Sequence, residues 1–99
     1  MGVFGDMKVF KKKLACDIKE HMFTKYPGYV FKNLKVEADD TMIIFKVNFT
    51  DPGGHKWTLT RAFGLAGLSA SKVPVYDIVI DRLVRGLDSN LKGRQQSWQ

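Results

Sequence analysis

MIIFKVNFTDPGGHKWTLTRAF, residues 42–63, decides the fold. From Met42 to Thr50, Ile43, Phe45, Val47 and Phe49 alternate with Ile44, Lys46, Asn48 and Thr50. A period of two marks a strand with one buried face. A second alternation follows, with Trp57, Leu59 and Phe63 on one side and Lys56, Thr58 and Thr60 on the other. Between them stands DPGG, residues 51–54. A loop of Pro52, Gly53 and Gly54 suits a type I turn closed by a glycine in the left-handed region. That loop sets Phe49 opposite Trp57 and Val47 opposite Leu59, so turn chemistry and inward pattern agree. Arg61 sits on the apolar side of its strand: either the strand ends by Thr60, or Arg61 reaches the rim of the core.

Toward the N-terminus, YVFKNLKVE (29–37) reads as the preceding strand. A tight turn at Asp39 and Asp40 sets Val36 opposite Ile43 and Leu34 opposite Phe45. Lys32 then points inward near the sheet edge, a conflict that a β-bulge would relieve. In this register Tyr29, Phe31, Asn33 and Lys35 share a face with Ile44, Lys46 and Asn48, and with Lys56, Thr58 and Thr60.

The first segment, MKVFKKKLACDIKEHM (7–22), is helical in pattern. Met7, Phe10, Leu14, Ile18 and Met22 recur every three or four residues and line one face. Asp6 suits the N-cap, and Pro27 stops the helix. In VPVYDIVIDRLVRGLDSNL (73–91) the β-branched residues would suit a strand. As a helix, however, Val75, Tyr76, Val79, Ile80, Leu83, Val84 and Leu87 make one apolar face. Asp77, Asp81, Arg85 and Asp88 fall opposite, with Asp81 and Arg85 a favourable i, i+4 pair. The segment is therefore assigned as a helix that frays or ends near Gly86. FGLAGLSASK (63–72) is expected to be a flexible loop with Ser71 near the next N-cap; it lacks the spacing of a Walker A loop.

The expected fold is α+β: helix, three-stranded antiparallel sheet, helix, both helices on one face of the sheet. One compact domain spans 1–92, and 93–99 form a polar, flexible tail. The element order is similar to that of double-stranded RNA-binding domains. The residues that serve that family are not matched, since the last helix starts with Lys72 alone and Asp77 and Asp81 follow. GGHKW lies in the second hairpin, not the first, so the resemblance is one of topology alone.

The chain has 99 residues, 44% of them hydrophobic, and a formal net charge of +6. Its pI is about 9.6. Such a charge favours anionic partners. A single cysteine, Cys16, excludes an intramolecular disulfide, and no apolar run approaches the ~18 residues of a membrane span. MGVFGDMKVF lacks the apolar stretch of a signal peptide, and Asp6 stands where a myristoylation site needs Ser or Thr. A cytoplasmic protein is expected.

Lys8, Lys11, Lys12 and Lys13 fall within six residues. Lysines near a helix N-terminus oppose the macrodipole, so helix stability does not explain them. Lys8, Lys11, Lys12, Lys35, Lys46 and Lys56 are the candidate phosphate contacts, with Tyr29 and Phe31 as stacking rings for bases. His21 and Asp17, one helical turn apart, read as a local ion pair, as do His55 and Asp51 across the turn. No base is placed beside Cys16, and no cluster has metal-ligand spacing. The chain is thus expected to be a non-enzymatic, cofactor-free nucleic-acid-binding module. The alternative is a protein-interaction module that binds an acidic protein surface: an inhibitor, adaptor or accessory subunit, for example a phage-type host-takeover or anti-defence protein. Tyr29, Phe31 and Ile44 would then offer a homodimer seam.

Overall fold

The computed structural model describes residues 4–97, with the backbone alone over 93–97. The elements are α1 (Met7–Lys25), β1 (Val30–Ala38), β2 (Met42–Thr50), β3 (Lys56–Gly64), α2 (Leu65–Ala70) and α3 (Val75–Ser97). The three strands form one antiparallel sheet in the order β1-β2-β3.

The β2–β3 hairpin has the expected register, with Phe49 opposite Trp57 and Val47 opposite Leu59. Asp51 N–H donates to the His55 carbonyl, and Gly54 closes the loop at φ 85°. The Asp51 carboxylate, buried under the loop, accepts from His55 N–H and from Trp57 Nε1, both at 2.9 Å. The Trp57 hydrogen bond holds this carboxyl below its ordinary range, helped by the bonds and charge of His55. His55 Nδ1 lies 3.4 Å from the same carboxylate, as expected.

The β1–β2 register is slipped by two residues from expectation: Val36 faces Phe45, and Leu34 faces Val47. The cause is Asp39, whose carboxylate accepts from the backbone N–H of Thr41 and of Met42, each at 2.8 Å. That side chain replaces a backbone acceptor and makes Asp40 and Thr41 the turn. A slip of two keeps every side chain on its face.

α1 starts at the expected cap, with Asp6 accepting from Lys8 N–H and Val9 N–H. Its buried face is Phe10, Leu14, Ile18 and Met22. α1 packs on β1, α3 packs on β3, and the two helices meet, so both cover one face of the sheet. Ile43, Phe45, Val47 and Phe49 of β2 lie beneath them, with Val79, Leu83, Leu87 and Leu91 of α3.

Four expectations are overturned, and one alternative left open by the sequence is decided. The segment expected as a loop contains α2, whose Leu65 and Leu68 turn inward; Ser71 caps its C-terminus rather than starting α3. α3 does not end at Gly86 but runs to Ser97, so the expected tail is helical over 93–97, and 98 and 99 lie outside the described residues. Gly86 stays in the helix because β3 crosses there: a Cβ would meet Arg61 Nη2 at 2.8 Å and Leu59 Cδ2 at 3.1 Å. β3 continues past Thr60, and Arg61 lies on the rim with Nη1 donating to the Thr60 carbonyl. Asp17 and His21 do not pair with each other. The Tyr76 hydroxyl donates to Asp17, and His21 Nε2 lies 2.8 Å from Asp88, so α3 takes both partners. Asp88 is accordingly not on a solvent face; it also accepts from the Tyr26 hydroxyl at 2.5 Å.

Candidate nucleic-acid interface

Both helices cover one sheet face, and the other is open. Its side chains form a grid fixed by the strand registers. One row is Glu37, Ile44 and Ala62; the next is Lys35, Lys46 and Thr60; the third is Asn33, Asn48 and Thr58; the last brings Thr50 beside Lys56. Rows lie about 7 Å apart, two residues' rise, and strands about 4.8 Å apart.

The third row is a continuous hydrogen-bond ladder. Thr58 Oγ1 donates to Asn48 Oδ1 at 2.6 Å, and Asn48 Nδ2 donates to Asn33 Oδ1 at 2.7 Å. Each bond crosses one strand gap, so the ladder spans the sheet. Over the third and last rows the face forms a basin of about 440 Å³, lined by Lys32, Lys35 and Lys56, by Asn33, Asn48 and Thr58, and by Phe49 and Trp57.

One acid shares the grid. Glu37 Oε2 accepts from Lys46 Nζ at 2.5 Å. That bond and the charges of Lys46 and Lys35 hold the Glu37 carboxyl below its usual range. Lys46 is thereby engaged within the protein. No ion pair reaches Lys32, Lys35 or Lys56 among the described residues.

Two of the residues expected on this face are not there. A bulge between Phe31 and Asn33 inserts Lys32 as an extra residue. It relieves the inward lysine, but it also reverses the alternation of everything before it. Tyr29 is therefore 5% exposed and its ring packs near Tyr26 and Phe49. Phe31 faces Phe49 and packs on the core. Neither ring can stack on a base from the open side. The apolar dimer seam dissolves for the same reason, leaving Ile44 without them. Lys32, read from sequence as inward, is exposed at the basin instead.

Lys8, Lys11 and Lys12 are exposed on α1. α1 lies under the inner face of the sheet, so these lysines and the basin belong to opposite sides of the protein. Lys13, the fourth of the cluster, has an internal role: its Nζ sits 4.3 Å from the centroid of the Tyr76 ring. Along the outer side of α1, Val9 (64% exposed), Cys16 and Phe23 (84% exposed) recur at seven-residue spacing between lysines.

The fold and this face define a small α+β domain with a basic, hydrogen-bonding open sheet. No family model, curated protein or solved structure matches the chain.

Proposed function

We propose that the protein is a non-catalytic, cytoplasmic nucleic-acid-binding module that holds phosphates on the open face of its sheet. The observation that carries this reading is the basin, which brings Lys32, Lys35 and Lys56 together with the amide and hydroxyl groups of Asn33, Asn48 and Thr58, beside Phe49 and Trp57. Lysines supply the counterion-release term, and the amide and hydroxyl groups supply directed hydrogen bonds. With Tyr29 and Phe31 turned inward, contact to the backbone replaces stacking as the main source of affinity.

The test is a titration of labelled single-stranded DNA, duplex DNA and RNA at two salt concentrations. Three lysines contacting a single strand give a slope of log K against log salt near −2, or about twentyfold between ~50 and ~200 mM. Replacing Lys32, Lys35 and Lys56 together by alanine flattens that slope. Replacing Lys8, Lys11 and Lys12 leaves it. The reverse assignment would move the interface to α1, and no binding at ~50 mM salt would end the reading.

A second reading rests on the exposed Val9 and Phe23. An apolar line flanked by Lys12 and Lys19 suits a helix or strand with an apolar ridge and acidic borders, as an inhibitor or adaptor would meet on its target. Phe23→Asp would abolish such an association and leave nucleic-acid binding intact.

A further inference from the structure

The ladder on the open face has a direction. Thr58 donates to Asn48, and Asn48 donates to Asn33. The Asn33 side-chain oxygen is thus consumed as an acceptor. Its own amide N–H groups have no acceptor among the described residues. The ladder therefore ends in a pair of donors, at the margin where Lys32 and Lys35 stand. Three donor groups, two of them cationic, converge from one strand, because the bulge places Lys32 next to Asn33 instead of beneath it. A group that accepts several hydrogen bonds and carries negative charge satisfies all three, and a phosphodiester is such a group.

The shape of the face selects the form of the polymer. A duplex major groove admits a helix or a two-stranded ribbon. Here the outer strands of a three-stranded sheet lie about 10 Å apart before side chains are added, too broad for that groove. A strand without a partner can lie in the basin. From the Lys35 row to the Lys56 row is four residues of strand, about 13 Å, or about four nucleotide steps at ~3.4 Å and fewer when the strand is stretched. We propose that the basin takes a single unpaired nucleic-acid strand, with one phosphate seated on the Asn33 amide between Lys32 and Lys35. This rests on the nucleic-acid reading above and narrows it to one strand form and one neutral contact residue.

The experiment measures fluorescence anisotropy of a labelled oligothymidylate of about eight nucleotides, against a duplex of the same length, at about 50 mM salt. Wild type, Asn33→Ala and Asn33→Asp are compared, each checked for unchanged far-UV circular dichroism. Asn33→Asp still accepts from Asn48 and keeps the ladder, but turns its donor end into an acceptor. The single strand is expected to bind at least about tenfold more tightly than the duplex. Asn33→Ala is expected to weaken it about tenfold, the scale of one hydrogen bond to a charged group. Because no charge is removed, the salt slope of Asn33→Ala stays that of wild type. Asn33→Asp weakens binding further. Duplex binding equal to or tighter than the strand overturns the inference while leaving the nucleic-acid reading in place. So does wild-type affinity in Asn33→Ala. Absence of binding to either form at low salt overturns the nucleic-acid reading itself, and the inference with it.

Discussion

Deleting Lys32 tests the register that forms the basin. The bulge sets two residues of β1 against one of β2, with Phe31 opposite Phe49 and Asn33 opposite Asn48. Removing Lys32 leaves Phe31, Asn33 and Leu34 facing 49, 48 and 47 in an unbroken ladder. Tyr29 and Phe31 stay inside, and Asn33 stays outside. The cost is the small movement that closes the gap, offset by a regular hydrogen-bond ladder, and is about 1 kcal/mol or less. Removing both Lys32 and Asn33 shifts the pattern by one more residue. Leu34 remains inside, but Phe31 and Tyr29 turn to solvent and Val30, now 49% exposed, turns in. Exposing two aromatic side chains costs about 3–6 kcal/mol, and burying one valine returns about 1.5 kcal/mol of it. The net loss, about 1.5–4.5 kcal/mol, is a large part of the 5–15 kcal/mol that holds a domain of this size together. Thermal unfolding followed by far-UV circular dichroism separates the two cases. The single deletion should shift the melting temperature by no more than about 4–8 °C, and the double deletion by about 1.5 times that or more. If the single deletion unfolds the protein as badly as the double one, the bulge carries stability of its own and the alternation argument fails.

Asp88→Asn and Gly28→Ala probe the two ends of the helix–sheet joint. Burial disfavours the Asp88 charge, but the Tyr26 hydroxyl and His21 ring donate to it, and with the charges of His21 and Lys25 they hold its carboxyl below the ordinary range. Asp88→Asn removes the charge from both hydrogen bonds and should cost about 2 kcal/mol at neutral pH. Since the folded value is the lower one, that stability is present above the unfolded aspartate range and is lost as pH falls through the folded value. The gap between wild type and variant, measured by urea unfolding from pH 7 downward, should therefore close in acid; a gap unchanged at low pH would refute the role of the charge. Gly28 has φ 94°, and a Cβ there would lie 3.0 Å from Pro52 Cγ, part of a ring that cannot swing aside. Gly28→Ala should thus destabilise by about 1–2 kcal/mol in thermal unfolding, although alanine restrains the unfolded chain.

Local signals made the β2–β3 hairpin and α1 legible in the sequence. DPGG fixes one turn length, and only one register then keeps Phe45, Val47 and Leu59 together. The features that escaped were decided by groups distant in sequence or by choices that alternation cannot see. Asp39 and Asp40 both suit a turn; a slip of two leaves every face unchanged, so only the Asp39 side-chain bonds distinguish them. Gly86 looks like the end of a helix because the reason for it, the Arg61 guanidinium, lies on another element. Asp17 and His21 look like partners until α3 presents Tyr76 and Asp88. At the site, the conflict at Lys32 pointed to a bulge, and carrying its one-residue shift back to Tyr29 and Phe31 would have moved both rings inward. The Asn33–Asn48–Thr58 row was also legible, since all three share the open face. Their value as a ladder emerged only when the slipped register set Asn33 beside Asn48.

If the basin binds a strand as proposed, the placement of basic groups on opposite sides of one layer of core has a kinetic consequence. A strand seated in the basin is separated from Lys8 and Lys12 by the sheet and by α1 itself, and a helix with its side chains is about 10–12 Å across. The Debye length is about 8 Å at physiological ionic strength, so those lysines act on a bound strand weakly or not at all. At ~0.01 M salt it reaches about 30 Å, and the whole net charge of +6 then attracts an approaching polyanion. Lysines on α1 should accordingly alter the association rate at low salt and leave dissociation unchanged, whereas Lys35 and Lys56 should alter dissociation at every salt concentration. Stopped-flow measurements on Lys8→Ala/Lys12→Ala and Lys35→Ala/Lys56→Ala variants separate the two. A dissociation rate raised by the α1 pair would mean that the bound polymer wraps the edge of the sheet and reaches the helix, and the basin would then be one end of a longer path.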